Sequence, residues 1–315
     1  MTSEITLFVN PTAGRGRGAH AAQPAARAFR DAGVTVRTVL GRNADDALRR
    51  AREAVEGGTG ALVAVGGDGM VSLALQAVAG TGTPLGVIPV GTGNDFARCL
   101  GLPLRDPAEA GRVAAEAFTG GGGRTVDLGR VEQPRAAAAG GPAHRWFGTV
   151  LASGFDSRVN DRGNRMRLPA GRFRYDLAIL AELAAFRPAP YRLTLDDGAE
   201  TRVEATLVAV GNGTSYGGGM RICADARLDD GLLDVTVVGD CSRTELIRVF
   251  PRVYRGTHLD HPKITVHRVR SLTLDAHGIT GYADGEPLGP LPLTVHCVPG
   301  ALRVLAPQTP PQVPR

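Results

Sequence analysis

The chain has 315 residues, 43% of them hydrophobic and 21% charged, with a net charge of +5; this length suits two domains with a substantial core and excludes a peptide or a small disulfide scaffold. Its longest apolar stretches, 61–65 and 177–185 (broken by Glu182), are too short to cross a bilayer, and no basic leader precedes the apolar run at the amino terminus, residues 5–9, so a cytoplasmic protein is expected. Four widely spaced cysteines without a C-x-x-C pair exclude a zinc ribbon or thioredoxin-type site, and the single lysine, Lys263, excludes a Walker A loop and the strand lysine of a protein kinase.

Along the first 120 residues strand and helix patterns alternate: 5–10 then 19–31, 34–40 then 45–55, 61–65 then 71–79, 85–89 then 95–100. Short apolar runs each followed by a helical stretch predict a parallel sheet with helices on its faces. Asp45 and Asp46 mark a helix start, and Gly33 and Gly80 mark stops. Beyond the glycines at 120–123 strand patterns dominate, at 125–131, 146–152, 191–195, 203–210, 232–238, 263–266, 271–274 and 293–298, with helices only at 173–185 and 243–254. The expected fold is therefore α/β: a doubly wound parallel-sheet domain over 1–125, then a β-rich, sandwich-like domain over 126–304 whose last strand can return toward the first. Residues 135–143 read as a loop or hairpin insertion, and 305–315 as an unordered proline-rich tail.

Charge is concentrated. Residues 158–174 hold six arginines and one acid, Asp161, so the rest of the chain balances at 30 basic against 30 acidic residues. With 5% aromatic residues there is little base-stacking capacity, and no nucleic-acid partner is expected. The same stretch interleaves Met166, Leu168 and Phe173 with arginine, the composition of a face that docks peripherally on an anionic membrane; a solvated, ion-paired helix edge is the plainer reading.

Three predicted strands end in glycine-bearing turns. Strand three runs into Gly66-Gly67-Asp68-Gly69, strand four into Pro89-Val90-Gly91-Thr92-Gly93-Asn94-Asp95-Phe96-Ala97, and strand one into Asn10-Pro11-Thr12-Ala13-Gly14. In an open parallel sheet these ends face one crevice, where amides and helix starts favour phosphate. Asp68 then faces a phosphate or its Mg²⁺, or else merely caps the next helix. Later come Gly154-Phe155-Asp156, Leu228-Asp229-Asp230-Gly231-Leu232-Leu233-Asp234 and Asp284-Gly285-Glu286.

In this order, from residue 10 to 286, the motifs resemble those of the diacylglycerol kinase catalytic family, bacterial lipid kinases related to sphingosine kinases and more distantly to NAD kinases. The resemblance implies ATP and Mg²⁺ as cofactors and a lipid alcohol as acceptor, diacylglycerol first, giving phosphatidic acid. A sphingoid base, phosphatidylglycerol or NAD stays open. It places the nucleotide on Asn10, Pro11, Thr12, Ala13 and Gly14, on Gly66, Gly67, Asp68, Gly69, Met70, Val71 and Ser72, and on Gly91, Thr92, Gly93, Asn94 and Asp95. Asp284, Glu286 and Asp68 would be catalytic, with the roles of the first two not separated. Arg227 and Leu232, through backbone oxygens, and Asp230, through its carboxylate, would hold a structural Mg²⁺. A homodimer is compatible with all of this. The chain departs from the family in Met70, where threonine is usual, in Leu40-Gly41, and in Arg15 and Arg17, which replace lysines.

Two other patterns compete. Gly213-Thr214-Ser215-Tyr216-Gly217 matches a serine-hydrolase elbow, but the glycines at 217–219 make a poor start for the helix that the elbow requires. Residues 14–19 read as G-x-G-x-x-A, yet strand two ends without the acid that would hold a ribose. Seven scattered histidines, only His258 and His261 being close, offer no transition-metal site.

Overall fold

A computed structural model describes residues 4–10, 13–121, 123–154 and 188–308. Pro11, Thr12, Phe155, Asp156, the arginine stretch 158–174, the helix expected at 173–185 and residues 309–315 lie outside the described residues, as do the side chains of 13–17.

The first part comprises β1 (Glu4–Val9), α1 (Ala13–Asp31), β2 (Thr35–Leu40), α2 (Ala44–Glu56), β3 (Leu62–Gly66), α3 (Asp68–Val78), β4 (Leu85–Pro89), α4 (Asp95–Leu100) and α5 (Pro107–Thr119). β4, β3, β1 and β2 lie side by side, all parallel. β3 and β4 are buried along their whole length, because helices cover both faces. Alternation sorts the side chains. Leu7, Val9, Val63 and Val65 pack with Ala25 and Phe29 of α1 and Ala114 of α5, while Phe8, Leu62 and Ala64 pack with Ala51 of α2 and Leu75 of α3. Local signals set the helix starts: Asn43 accepts the Asp46 amide at 2.9 Å, and Asp106 caps α5 with Pro107 in its first turn.

The second part contains β5 (Arg124–Glu132), α6 (Pro134–Ala138), β6 (His144–Phe147), β7 (Val150–Gly154), β8 (Ala189–Leu195), β9 (Thr201–Gly211), β10 (Leu233–Gly239), α7 (Arg243–Arg255), β11 (Ile264–Val269), β12 (Ser271–Asp275), β13 (Thr280–Ala283), β14 (Glu286–Pro290) and β15 (Leu293–Val304). These strands pair antiparallel around a core that includes Tyr191, Phe147, Val208 and Leu233. β15 joins the two parts. It runs antiparallel to β12 and β5, and its end pairs parallel with β4 at Val304 and Leu85, where the Leu305 amide meets the Leu85 carbonyl at 2.8 Å. The architecture is the expected α/β class, a parallel-sheet part followed by a β-rich part.

Several elements differ from expectation. α1 begins at Ala13, so Ala13 and Gly14 are first-turn helical residues; packing of Ala21, Ala25 and Phe29 outweighs the weak propensity of a glycine-bearing start. The strand expected over 146–152 breaks at Gly148-Thr149 into β6 and β7, and residues 280–290 form a hairpin. α5 is an additional helix, and α6 is a short helix within the 135–143 insertion. No helix among the described residues is long and apolar enough to cross a membrane.

Candidate active site

Because β4, β3 and β1 are adjacent and parallel, with Gly66 level with Pro89 and Val9 level with Val65, the turns after them share one edge. The turns after β3 and β4 are bound to each other by Asp68. Its Oδ2 accepts the Asn94 amide at 2.8 Å and its Oδ1 the Asp95 amide at 2.7 Å, so it caps α4 rather than its own helix α3, whose cap is Gly67. The Asn94 backbone is left-handed at φ 55°, and its side chain closes a ring with Gly91, accepting that residue's amide and donating to its carbonyl, both at 2.9 Å.

The glycines are explained by crowding. A Cβ on Gly93 would sit 2.4 Å from Asp68 Oδ2, and one on Gly91 would sit 2.6 Å from the Gly67 Cα. Only at Gly69 is there room, and the nearest atom there is Glu286 Oε1, at 3.5 Å from such a Cβ. The Met70 amide is used by the Gly67 carbonyl, which leaves the first-turn amides of Asp68 and Gly69 as those the helix itself does not use.

Of the residues expected to meet nucleotide, Gly66, Gly67, Asp68, Gly69, Gly91, Thr92 and Gly93 are brought together, with Thr92 exposed at the tip of its turn and Asn10 at the neighbouring end of β1. Met70, Val71 and Ser72 are buried in α3, with Met70 and Val71 packed in the core. Asp95 reaches into the second part, accepting the Gly218 amide at 2.7 Å. It is 5% exposed, its Oδ1 has no hydrogen-bond partner among the described residues, and burial pushes its carboxyl up to about 6 with the Asp68 charge adding to the effect.

Asp284 and Gly285 form the two-residue turn of the β13–β14 hairpin, both at positive φ, 49° and 82°, as the Asp-Gly pair favours. The break between β6 and β7 receives the Asp284 carboxylate: the Gly148 amide donates to Oδ2 at 2.8 Å, and the Thr149 amide and hydroxyl donate to Oδ1 at 2.9 and 2.5 Å. Burial raises the Asp284 pKa, the three donors oppose that rise, and the Asp68 charge adds to it. Gly148 in turn lies against the Phe96 ring, where a Cβ would come within 2.7 Å, so Asp284 and Glu286 stand beside both glycine turns.

Thr149, Asn212 and Asp127 escape the motif reading. Asn212 is fully buried and its Nδ2 donates to the carbonyls of Asp127 and Gly148, both at 2.9 Å, which fixes the strand break. Asp127 accepts the amides of Gly231 at 2.7 Å and Gly300 at 2.8 Å. Each is a polar residue set in or at the end of an apolar strand, and that interruption is the signal that could have marked it.

The loop expected to hold a structural cation is occupied by protein groups. Asp230 pairs with the Arg268 guanidinium and accepts the Leu232 amide at 3.1 Å; Asp229 pairs with Arg124 at 3.2 Å and with the Arg227 side chain at 3.4 Å. A guanidinium on the carboxylate that should ligate a dication repels that dication, so Arg227, Asp230 and Leu232 as arranged do not fit Mg²⁺. At the cleft, no three acidic, histidine or cysteine side chains among the described residues converge enough to hold a metal alone. Asp68 and Glu286 are hard oxygen donors there, and Mg²⁺ commonly takes one or two carboxylates with the rest of its shell from phosphate and water. Ser215 is fully buried, in a turn bridged at Tyr216 and Met220 instead of opening a helix, so the hydrolase pattern is not an elbow.

Comparison with known proteins agrees with this arrangement. Residues 4–131 match the family described as diacylglycerol kinase catalytic domain, and residues 149–306 match the YegS C-terminal NAD kinase beta sandwich-like domain. The chain is 44% identical over 305 residues to a "Diacylglycerol kinase" of Mycobacterium tuberculosis, covering 97% of this chain and 96% of that protein. It is 32% identical over 298 residues to the Pseudomonas aeruginosa protein named "Probable lipid kinase YegS-like", covering 93% and 92%. Among solved structures, a diacylglycerol kinase from Bacillus anthracis str. Sterne superimposes with a TM-score of 0.69 at 23% identity over 97% of both chains. An NAD kinase from Archaeoglobus fulgidus, solved with ATP, shares the fold at a TM-score of 0.53 and 13% identity, over 96% of this chain and 92% of that one. The chain belongs to the diacylglycerol kinase catalytic-domain family and is a kinase of the lipid-kinase type.

Proposed function

We propose that this protein transfers the γ-phosphate of ATP to the hydroxyl of a membrane lipid, diacylglycerol being the acceptor and phosphatidic acid the product, at the cytoplasmic membrane surface. The observation that carries this reading is the placing of Asp284 and Glu286 on one hairpin beside Gly69 and the Asp68 clamp. The amides of Asp68 and Gly69 at the start of α3, with Thr92, receive phosphate oxygens. Arg98, exposed next to the second turn, adds positive charge there.

Asp284 is the better base of the pair. Its carboxylate is fixed by three donors, and burial raises its proton affinity above that of an ordinary carboxylate, which favours proton acceptance. It takes the proton of the acceptor hydroxyl as that oxygen bonds to the γ-phosphorus and the bond to the β,γ-bridging oxygen breaks, ADP leaving with that oxygen. Glu286, against Gly69, and Asp68 are the groups that would hold Mg²⁺, which when bound with the nucleotide neutralises phosphate charge. Thr149, Asn212 and Gly148 position Asp284 without touching substrate.

A small apolar foothold, with room for part of an acyl chain, supports a lipid acceptor in the second part of the chain. A narrow cavity of about 60 Å³ between α7 and the sheet is lined by Leu246, Val249, Phe250 and Val253 with Leu207 and Ile264. Tyr216 and Met220 line it too, and the turn between them is the one whose Gly218 is held by Asp95. Labelled ATP offered with a panel of lipid alcohols in mixed micelles, followed by product chromatography, tests the reading. Labelled phosphatidate is expected; label only in NADP-type or sphingoid products would reassign the acceptor.

A further inference from the structure

α7 is amphipathic in an unusual sense for a helix that covers a core. Its inner face, Leu246, Val249, Phe250 and Val253, closes the apolar cavity. Its outer face carries a second apolar stripe, Ile247, Pro251 and Tyr254, spaced at four and three residues and therefore along one side of the helix. Ile247 is 58% exposed and Tyr254 45% exposed, two of the four large apolar side chains so exposed among the described residues. Beside this stripe stand Arg243, Arg248 and Arg255, while Arg252, further round the helix, donates to the Thr257 carbonyl. The helix's one acid, Glu245, is neutralised by Lys263 at 2.9 Å, and among the described residues none of the four arginines pairs with a carboxylate. A capping box from Ser242 and Glu245 and a left-handed Gly256 at the far end keep the helix formed in the absence of any partner.

A preformed helix with exposed apolar residues flanked by unneutralised arginines has the chemistry of a surface that lies in the headgroup region of an anionic bilayer. We propose that the outer face of α7 docks the enzyme onto an anionic lipid surface, Ile247, Pro251 and Tyr254 entering the interface and the arginines meeting lipid phosphates. The occupant is the bilayer because exposed apolar residues and unneutralised cations complement an anionic leaflet, and the stripe leads round the helix from Tyr254 to Phe250, whose rings stand edge to face at 5.8 Å and of which Phe250 lines the cavity. This rests on the lipid-acceptor reading for its purpose, although docking itself is measured without turnover.

The test is co-sedimentation of the full chain with phosphatidylcholine vesicles, with or without phosphatidylglycerol, at low and high salt. The wild type is expected to sediment with the anionic vesicles and to be released by salt. Ile247→Asp, and separately Arg248→Glu with Arg255→Glu, are expected to weaken that binding at least about fivefold for each apolar or charged anchor lost. Arg202→Glu, on another surface, is expected to bind as wild type. Circular dichroism confirms that α7 stays folded, and turnover on a soluble short-chain diacylglycerol is expected to stay at the wild-type level while turnover on vesicle-borne substrate falls. Unchanged binding by both α7 variants, binding indifferent to phosphatidylglycerol, or a wild type that stays in the supernatant would overturn the proposal; α7-dependent sedimentation without phosphorylation of diacylglycerol would uphold it while removing the proposed acceptor.

Discussion

The carboxylate of Asp68, at the start of α3, accepts the Asn94 amide at 2.8 Å across 26 residues of sequence, and through that bond the turn after β3 carries the turn after β4. The same carboxylate accepts the Asp95 amide, so one side chain satisfies two orphan donors at the start of α4. Asp68→Asn leaves a single acceptor for two amides. The expected cost is about 1–3 kcal/mol for the amide left buried and unpaired. Gly93→Ala tests the same clamp from its other side, since the added methyl would meet Asp68 Oδ2. Both variants should lower the chemical denaturation midpoint and raise the KM for ATP; unaltered values in both would show that the clamp does not shape the nucleotide turns.

Asp95 is stable in place only at a cost. Its ordinary carboxyl value of 3.8 is pushed up to about 6, mainly by burial, so the folded protein holds the proton more tightly than the unfolded chain. Stability from this group therefore falls as pH rises from 3.8 through about 6, and the charged form is destabilising above that range. Asp95→Asn, which can still accept the Gly218 amide, is expected to raise the unfolding free energy near pH 7.5 by on the order of 1–3 kcal/mol and to lose activity. Urea titrations check this: the gap between variant and wild type should shrink near pH 5, and a constant gap would contradict the burial argument.

The Thr149 hydroxyl lowers the Asp284 pKa against the upward push of burial. Thr149→Val removes that donor and keeps the backbone amide. The acidic limb of kcat/KM against pH, which reports deprotonation of the base, should move to higher pH, with turnover at alkaline pH largely kept. An unmoved limb would mean that Asp284 is not the titrating group.

The loop at 227–234 makes a different kind of prediction. Arg124, Arg268 and Asp127 hold it through side chains and amides, so chelation of divalent ions should leave the Tm unchanged. Asp127→Ala should be strongly destabilising, by about 2–5 kcal/mol, because it strands the amides of Gly231 and Gly300. A fall in Tm on chelation would show that a cation, not the arginines, secures the loop.

How far the sequence carries can be judged residue by residue. β3 and β4 are legible because helices on both faces demand unbroken apolar runs, and Gly67, Gly91 and Gly93 are legible because the two turns meet there with too little room for a Cβ. What those glycines do was less legible: Gly67, Gly91 and Gly93 serve turn-to-turn packing, which depends on neighbours distant in the chain. The Asp-Gly at 284–285 carries a hairpin signal in its own composition, but its partners Gly148 and Thr149 lie on a strand break that period-two alternation cannot show. The pairing of Asp230 with Arg268 was hidden for the same reason, since 38 residues separate them. The outer stripe of α7 follows from helical spacing, yet only exposure tells it apart from a second core face.

In the proposed mechanism Asp284 accepts the proton of a lipid hydroxyl while the glycine turns hold ATP. The most direct test compares wild type with Asp284→Asn for transfer of label from the γ-phosphate of ATP to diacylglycerol, with ATP affinity measured on the same preparations. Labelled phosphatidate is expected from the wild type, with a loss of about 10²- to 10⁴-fold in the variant and unaltered ATP binding. Wild-type turnover by Asp284→Asn would contradict this mechanism.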